Sequence, residues 1–175
     1  MTRIRRLLLV LGILAVTGTS AFILARARQD REATENYSLI EEGLYMGGLV
    51  SQPPPGTTAV LNLCGREDPY RCENHVWNAI EDAAPAPSIE WLQRQVEFVD
   101  ARRKAGDTVY VHCHAGISRS GMVVIAYEMY KNRWTREEAL KFVRSKRPVT
   151  HPNPAFWDRL REWEFVVFHE SKKGR

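Results

Sequence analysis

A single α/β domain, with a central and largely parallel sheet flanked by helices, is the fold this sequence predicts. Three observations lead there. Short apolar runs of strand length alternate with amphipathic helical stretches between residues 40 and 170, which is how chains that wind a parallel sheet are written. Three of the helical stretches open on recognisable capping signals. Thr108-Val109-Tyr110-Val111 reads as a buried strand that runs through a glycine-containing turn into Met122–Tyr130, apolar almost without a break. With 175 residues and 44% apolar content, the chain is long enough for one substantial core.

The N-terminal segment stands apart. Arg3, Arg5 and Arg6 precede 19 uncharged residues, Leu7 to Ala25, and Arg26 and Arg28 close the run. Arginines at both ends and none between predict a single-pass membrane anchor over residues 1–28, at the short end of spanning length. A cleaved signal peptide is the rival, because Thr19-Ser20-Ala21 and Ala25-Arg26-Ala27 are small-residue sites. Continuation of the apolar run through Phe22-Ile23-Leu24 favours the anchor. Three arginines before the span and three after it (26, 28 and 31) leave its orientation open. A polar linker is expected over 29–39, and the domain over 40–170.

The anchor also explains the basic pI of about 9.1. Five of the 25 Lys and Arg lie in residues 1–28 with no acidic residue, leaving 20 basic against 21 acidic. The domain is therefore near neutral, and its charge predicts no nucleic-acid partner.

Within the domain, Pro53-Pro54-Pro55-Gly56 is a stiff turn. Thr57 to Cys64 is expected as a strand, Val76 to Ile80 as another. Ser88 caps a helix whose inner face is Ile89, Leu92, Val96 and Val99, with Gly106 at its end. Thr135 and Glu138 form a capping box for a helix burying Ala139, Phe142 and Val143. Asn153-Pro154 supplies an N-cap and a first-turn proline for a helix striped by Phe156, Leu160, Trp163 and Val167.

Chemistry concentrates in Val111-His112-Cys113-His114-Ala115-Gly116-Ile117-Ser118-Arg119-Ser120-Gly121. A strand, a tight loop and a helix N-terminus bring backbone N–H groups and the helix dipole to one point, which makes an anion site. A cysteine at its base should ionise below its ordinary pKa, because the field that holds an anion also favours thiolate. Arg119 offers a planar fork that matches two phosphate oxygens.

The spacing Cys113-x5-Arg119, with His112 before it and Ser120 after it, resembles the signature of the cysteine-based protein tyrosine phosphatases, most closely the dual-specificity branch. The resemblance extends from about residue 40 to 168. It takes in Leu44-Tyr45-Met46-Gly47 as a first strand, and the run from Arg147-Pro148 to Phe156 ahead of the last helix. It implies that Cys113 is the nucleophile and that His112 orients it. His114, Ala115, Gly116, Ile117, Ser118 and Arg119 would hold the phosphoryl group, and Ser120 would assist departure of the thiolate. No metal or cofactor is implied. The resemblance further calls for a mobile-loop aspartate as proton donor, and Asp82 in Ile80-Glu81-Asp82-Ala83-Ala84-Pro85 fits. Glu81 is the second choice and Asp68, in an earlier loop, the third.

The implied substrate is a phosphorylated protein, with a phospholipid or small phosphorylated metabolite as the alternative. His114, Ile117 and Ser118 stand where phosphoinositide-directed relatives carry extra basic residues. A phosphate-binding adaptor without turnover is the remaining alternative. His114 and His151 border the pocket without an assigned role. Cys64 and Cys72 could pair in an oxidising compartment, and a zinc site built on them with His75 lacks a second close ligand pair.

Overall fold

The computed structural model describes residues 36–169. The expected anchor over 1–28 lies outside the described residues, and among these no helix is long and apolar enough to cross a membrane. The domain opens with β1 (Tyr37–Glu41) and β2 (Leu44–Gly47), an antiparallel hairpin turned by Glu42-Gly43. Gly43 sits at φ +72°, where a side chain would be strained and would also meet the guanidinium of Arg103. β3 (Ala59–Asn62), β4 (Asn74–Trp77), α1 (Ile89–Lys104), β5 (Val109–His112), α2 (Arg119–Asn132), α3 (Arg136–Lys146) and α4 (Pro154–His169) follow.

The five strands lie in the order β1-β2-β5-β3-β4. All neighbours run parallel except β1 and β2, so the sheet is mixed rather than purely parallel. Strand β1 corrects the expected linker of 29–39. Its five residues include only two fully buried apolar side chains, Tyr37 and Ile40, too weak a pattern to stand out beside the polar stretch before it. The strand expected over Val76–Ile80 is also shifted, to Asn74–Trp77. Pairing with β3 decides this, since Ala59 to Asn62 face Asn74 to Trp77 in register. Asn78 and Ile80 prolong the contact through single bonds to the carbonyls of Asn62 and Leu63.

Alternation along the strands sorts their side chains onto two faces. Ile40, Leu44, Met46, Ala59, Leu61, Val109 and Val111 form one core with the buried stripes of all four helices. Tyr37, Tyr45, Val60 and Tyr110 form a smaller cluster on the other face, closed by Tyr70. The helix ends follow the capping signals. Ser88 Oγ accepts from Trp91 N at 3.2 Å, Thr135 and Glu138 close their capping box, and Asn153 Oδ1 accepts from Phe156 N at 3.0 Å. Trp163, on the inner stripe of α4, donates Nε1–H to the carbonyl of Ala126 at 3.0 Å.

Because β1 buries Tyr37 and Ile40 almost completely, it is part of the domain and not an approach to it. A chain beginning at Gln29 should unfold in urea as the full domain does. One beginning at Glu42 should lose roughly 3–6 kcal/mol, the burial of two large side chains. Equal midpoints and slopes for the two chains would place the boundary after β1.

Candidate active site

β5 lies in the middle of the sheet, and the loop that leaves its carboxyl end carries the candidate residues, where open α/β sheets place their ligands. The period of two along β5 sends successive side chains in opposite directions. His112 belongs with Tyr110 on the tyrosine face, its ring stacked on that of Tyr110 at 5.0 Å and 18°. Cys113 turns toward the helices, 1% exposed, with Sγ 3.4 Å from Ser120 Oγ in the first turn of α2.

The loop between them is held from outside. Leu49 N donates to the carbonyl of His114 at 3.0 Å, and His151 N to that of Ile117 at 3.0 Å. Arg147 supplies the two carbonyls between, with Nε on Gly116 O at 2.7 Å and Nη2 on Ala115 O at 3.2 Å. Gly116 has φ +69°, and a β-carbon there would fall 2.3 Å from the backbone of Gly47, so only glycine fits.

Burial by itself pushes the Cys113 thiol up. The hydroxyl of Ser120 and the backbone N–H groups of Ser120, Ile117 and Gly116 outweigh it and bring the thiol below its ordinary value.

Arg119 leaves the first turn of α2 with its side chain 14% exposed. Nη1 donates to the carbonyl of Ile80 at 3.3 Å, and Nε lies 3.8 Å from Asp82 Oδ2. Asp82 itself is half-exposed and braced. Its Oδ1 accepts from Ser118 Oγ at 2.6 Å and from Asn153 Nδ2 at 2.9 Å. Three segments far apart in sequence thus bring Asp82 over the loop of Cys113. Glu81 is exposed and shares none of these contacts.

Asp68, ranked last as a donor, has a different place. It is buried under the tyrosine face, where Oδ2 accepts from Asn62 Nδ2 at 2.9 Å and meets His112 Nε2 at 3.0 Å and His75 Nε2 at 3.1 Å. Burial alone would push its carboxyl up, but the two imidazoles outweigh that and hold it below its ordinary value. Burial works against a charged His112, yet Asp68 and Cys64 prevail and raise it to about 9. This favours a cationic ring beside Cys113 through neutral pH. The other ring nitrogen, Nδ1, sits 3.4 Å from the carbonyl of Cys113 itself.

The remaining candidates divide. His114 and His151 contribute backbone groups to the loop, while the His151 ring contacts Arg144 Nη2 at 2.9 Å. Cys64 and Cys72 are both free thiols. Cys64 Sγ is directed at Asn62 Oδ1 and the carbonyl of Arg66, and His75 is directed at Asp68, so these three residues do not converge. Asp68 was legible only as a third-ranked donor, and Arg147 and Asn153 were not legible as site residues. Asn153 announced itself only as a helix cap, and Arg147 only as the residue before a proline.

The mixed sheet, the loop at the end of its central strand and the acidified thiol beside an arginine define a member of the cysteine-based protein tyrosine phosphatase superfamily. More narrowly, residues 55–165 match the family "Dual specificity phosphatase, catalytic domain", and the chain belongs to that family, a family of phosphatases. It is 37% identical over 140 residues to MAP kinase phosphatase with leucine-rich repeats protein 3 of Dictyostelium discoideum, covering 75% of this chain and 16% of that protein. It is 34% identical over 119 residues to dual specificity protein phosphatase 1 of Homo sapiens, covering 64% and 31%. The chain thus spans less than a third of either curated relative. Human DUSP28 shares the fold, with a TM-score of 0.67 and 23% identity over 75% of this chain and 94% of that one.

The buried pair gives a stability signature. A histidine raised in the folded state stabilises the protein fully below its unfolded pKa of about 6.5, and the contribution is lost as pH rises through about 9. The unfolding free energy of the wild type should therefore exceed that of Asp68→Asn most at pH 6, by roughly 3 kcal/mol. The gap should narrow steadily towards pH 9.5. Urea titrations at several pH values check this, and a gap independent of pH over that range would contradict it.

Proposed function

We propose that this domain hydrolyses phosphate monoesters, with phosphotyrosine and phosphoserine or phosphothreonine on proteins as substrates, through a cysteinyl-phosphate intermediate. The observation that carries this reading is the Cys113 thiol: buried, yet acidified by Ser120 and the loop amides. A sulfur anion at that point is a nucleophile already desolvated and aimed at whatever anion the loop holds.

In the first step Cys113 Sγ would form the S–P bond as the P–O bond to the substrate oxygen breaks. Arg119 and the loop N–H groups would hold the three non-bridging oxygens. Asp82, in its acid form, would give its proton to the departing oxygen, which leaves as an alcohol or phenol. In the second step water attacks phosphorus and its proton passes to the Asp82 carboxylate. The S–P bond breaks, and Ser120 Oγ, 3.4 Å from the sulfur, donates to the returning thiolate. Ser118 and Asn153, both hydrogen-bonded to Asp82 Oδ1, would keep Asp82 over the loop through both steps. The absence of added lysine or arginine at 114, 117 and 118 supports phosphoprotein over polyanionic lipid as the substrate class.

The apolar, arginine-flanked run of residues 7–25 supports attachment of the full chain to a membrane as a single-pass protein. Full-length protein should sediment with membranes and resist alkaline extraction, whereas protein starting at Gln29 should not. Recovery of full-length protein in the soluble fraction would remove the anchor from this reading.

Cys113→Ser should abolish turnover while leaving phosphate-analogue binding, because a serine hydroxyl has little anion character near neutral pH. Turnover that survives Cys113→Ser would end the covalent mechanism. Asp82→Asn should cost about 10²- to 10⁴-fold on phosphoserine peptides, whose alkoxide leaving group needs a proton. On an aryl ester with an acidic phenol the loss should be visibly smaller. Glu81→Gln should leave both rates near those of the wild type. A leaving-group dependence that follows Glu81 instead would transfer the donor's role to it.

A further inference from the structure

Arg147 lies outside the Cys113–Arg119 loop, in the turn after α3, yet it is 6% exposed and ends against that loop. Its guanidinium makes four hydrogen bonds, all to neutral acceptors. Two go to the carbonyls of Gly116 and Ala115, at 2.7 and 3.2 Å. Two go to the start of β1, Asn36 Oδ1 at 2.7 Å and Ser38 Oγ at 3.4 Å. Among the described residues no carboxylate forms an ion pair with it.

A trans peptide unit is planar and carries its C=O and N–H on opposite sides. The carbonyl of Ala115 belongs to the same unit as the N–H of Gly116, and the carbonyl of Gly116 to the same unit as the N–H of Ile117. These are two of the three amides that stabilise the Cys113 thiolate. Gripping those two oxygens from behind therefore turns those two N–H groups inward. The positive φ of Gly116 is the backbone condition for both units to face the same way.

From this the geometry points to Arg147 as a positioning residue of the phosphate loop, which aims the Gly116 and Ile117 amides and places a cation behind the anion they hold. The inference rests on the proposed phosphatase reading, and it adds an arginine that never touches substrate. Lysine could not replace it, since an ammonium has one point of contact where the guanidinium spans two carbonyls and β1. The link to Asn36 and Ser38 also explains why β1 belongs to the domain, because the first strand anchors the arm that sets the loop.

Other charged and titratable groups lie around Cys113 on both faces of the sheet, and a test has to hold them fixed. They are Arg119 on α2, His112 with Asp68 behind it, Tyr110 on β5 and Asp82 from the loop after β4. The readouts are the pH midpoint for alkylation of Cys113 by iodoacetamide and the affinity for inorganic phosphate, neither of which needs turnover. Activity on para-nitrophenyl phosphate and the urea midpoint are measured beside them.

Arg147→Met should raise the alkylation midpoint by about one pH unit, the scale of losing one nearby opposite charge. It should also weaken phosphate binding at least about tenfold and cut kcat about 10²-fold, the scale of losing oriented donors. Arg147→Lys should raise the alkylation midpoint less than Arg147→Met does, since the charge remains while the grip on the two carbonyls is lost. Its kcat should still fall, since the two amides are no longer both aimed. A folded Arg147→Met protein with unchanged midpoint and phosphate affinity, altered only in urea, would overturn the proposal and leave Arg147 a structural tie. Should Arg147→Met fail to fold, Arg147→Lys decides, and wild-type kcat in that variant overturns the proposal equally. If the wild type itself shows no turnover, the phosphatase reading fails. The alkylation and phosphate measurements would still judge Arg147 on their own.

Discussion

To point several backbone N–H groups at one anion, a chain must turn the same number of carbonyls away from it, because each trans peptide is rigid and two-sided. Each of those carbonyls meets a donor of the protein here, and one left without a partner where water is excluded would cost about 1–3 kcal/mol. The loop after Cys113 therefore exists only where other parts of the fold supply donors behind it. Leu49 serves the carbonyl of His114, Arg147 those of Ala115 and Gly116, and His151 that of Ile117. Those donors come from the segment after β2 and the segment after α3. The active-site loop is thus the place where two distant connections of the domain meet, and its conformation is a property of the whole fold.

The same geometry explains how one strand end serves two electrostatic tasks. Residues 112 and 113 are neighbours, but the pleat sends them to opposite faces of the sheet. Cys113 reaches the helix N-terminus, where donors favour its anion. His112 reaches Asp68, which favours a cation. The two charges lie back to back across the strand, each stabilised by its own surroundings and each favourable to the other. Tyr110 fits this arrangement too, since it stacks on His112 and its hydroxyl donates to the carbonyl of Gly48. That bond steadies the glycine-rich exit of β2, whose Gly47 carbonyl in turn accepts from Cys113 N at 3.2 Å.

What could be read from the sequence was whatever is local. Cys113, Arg119 and Ser120 stand within eight residues of one another, so spacing alone declares them. Asp82 could be chosen because a carboxylate after a short strand, in a proline loop, is itself a local pattern. The helix ends were legible for the same reason, as caps are written within four residues. Strand β1 was not, because Tyr37 and Ile40 make a two-residue signal that gains meaning only once β2 lies beside it. Asp68 was ranked below Asp82 as a donor, but nothing near it in sequence shows that Asn62, His75 and His112 converge on it. Arg147 was passed over for a related reason. Its partners at 36, 38, 115 and 116 are at least 31 positions away, and a basic residue before a proline has no distinguishing pattern of its own.

A division of labour between Arg119 and Arg147 follows from where each guanidinium sits. Arg119 is partly exposed and lies near Asp82, on the side of the loop away from Arg147. Arg147 approaches from the closed side, where its donors are taken up by backbone and by β1. An exposed arginine can bind and release an anion because water competes for both states. A buried one with all its contacts internal cannot exchange them at each turnover, and so acts as a fixed part of the field. One arginine on each side of the loop thus gives the site one partly exposed cation and one that is fixed by internal contacts. The second favours the Cys113 thiolate whether or not an anion is bound.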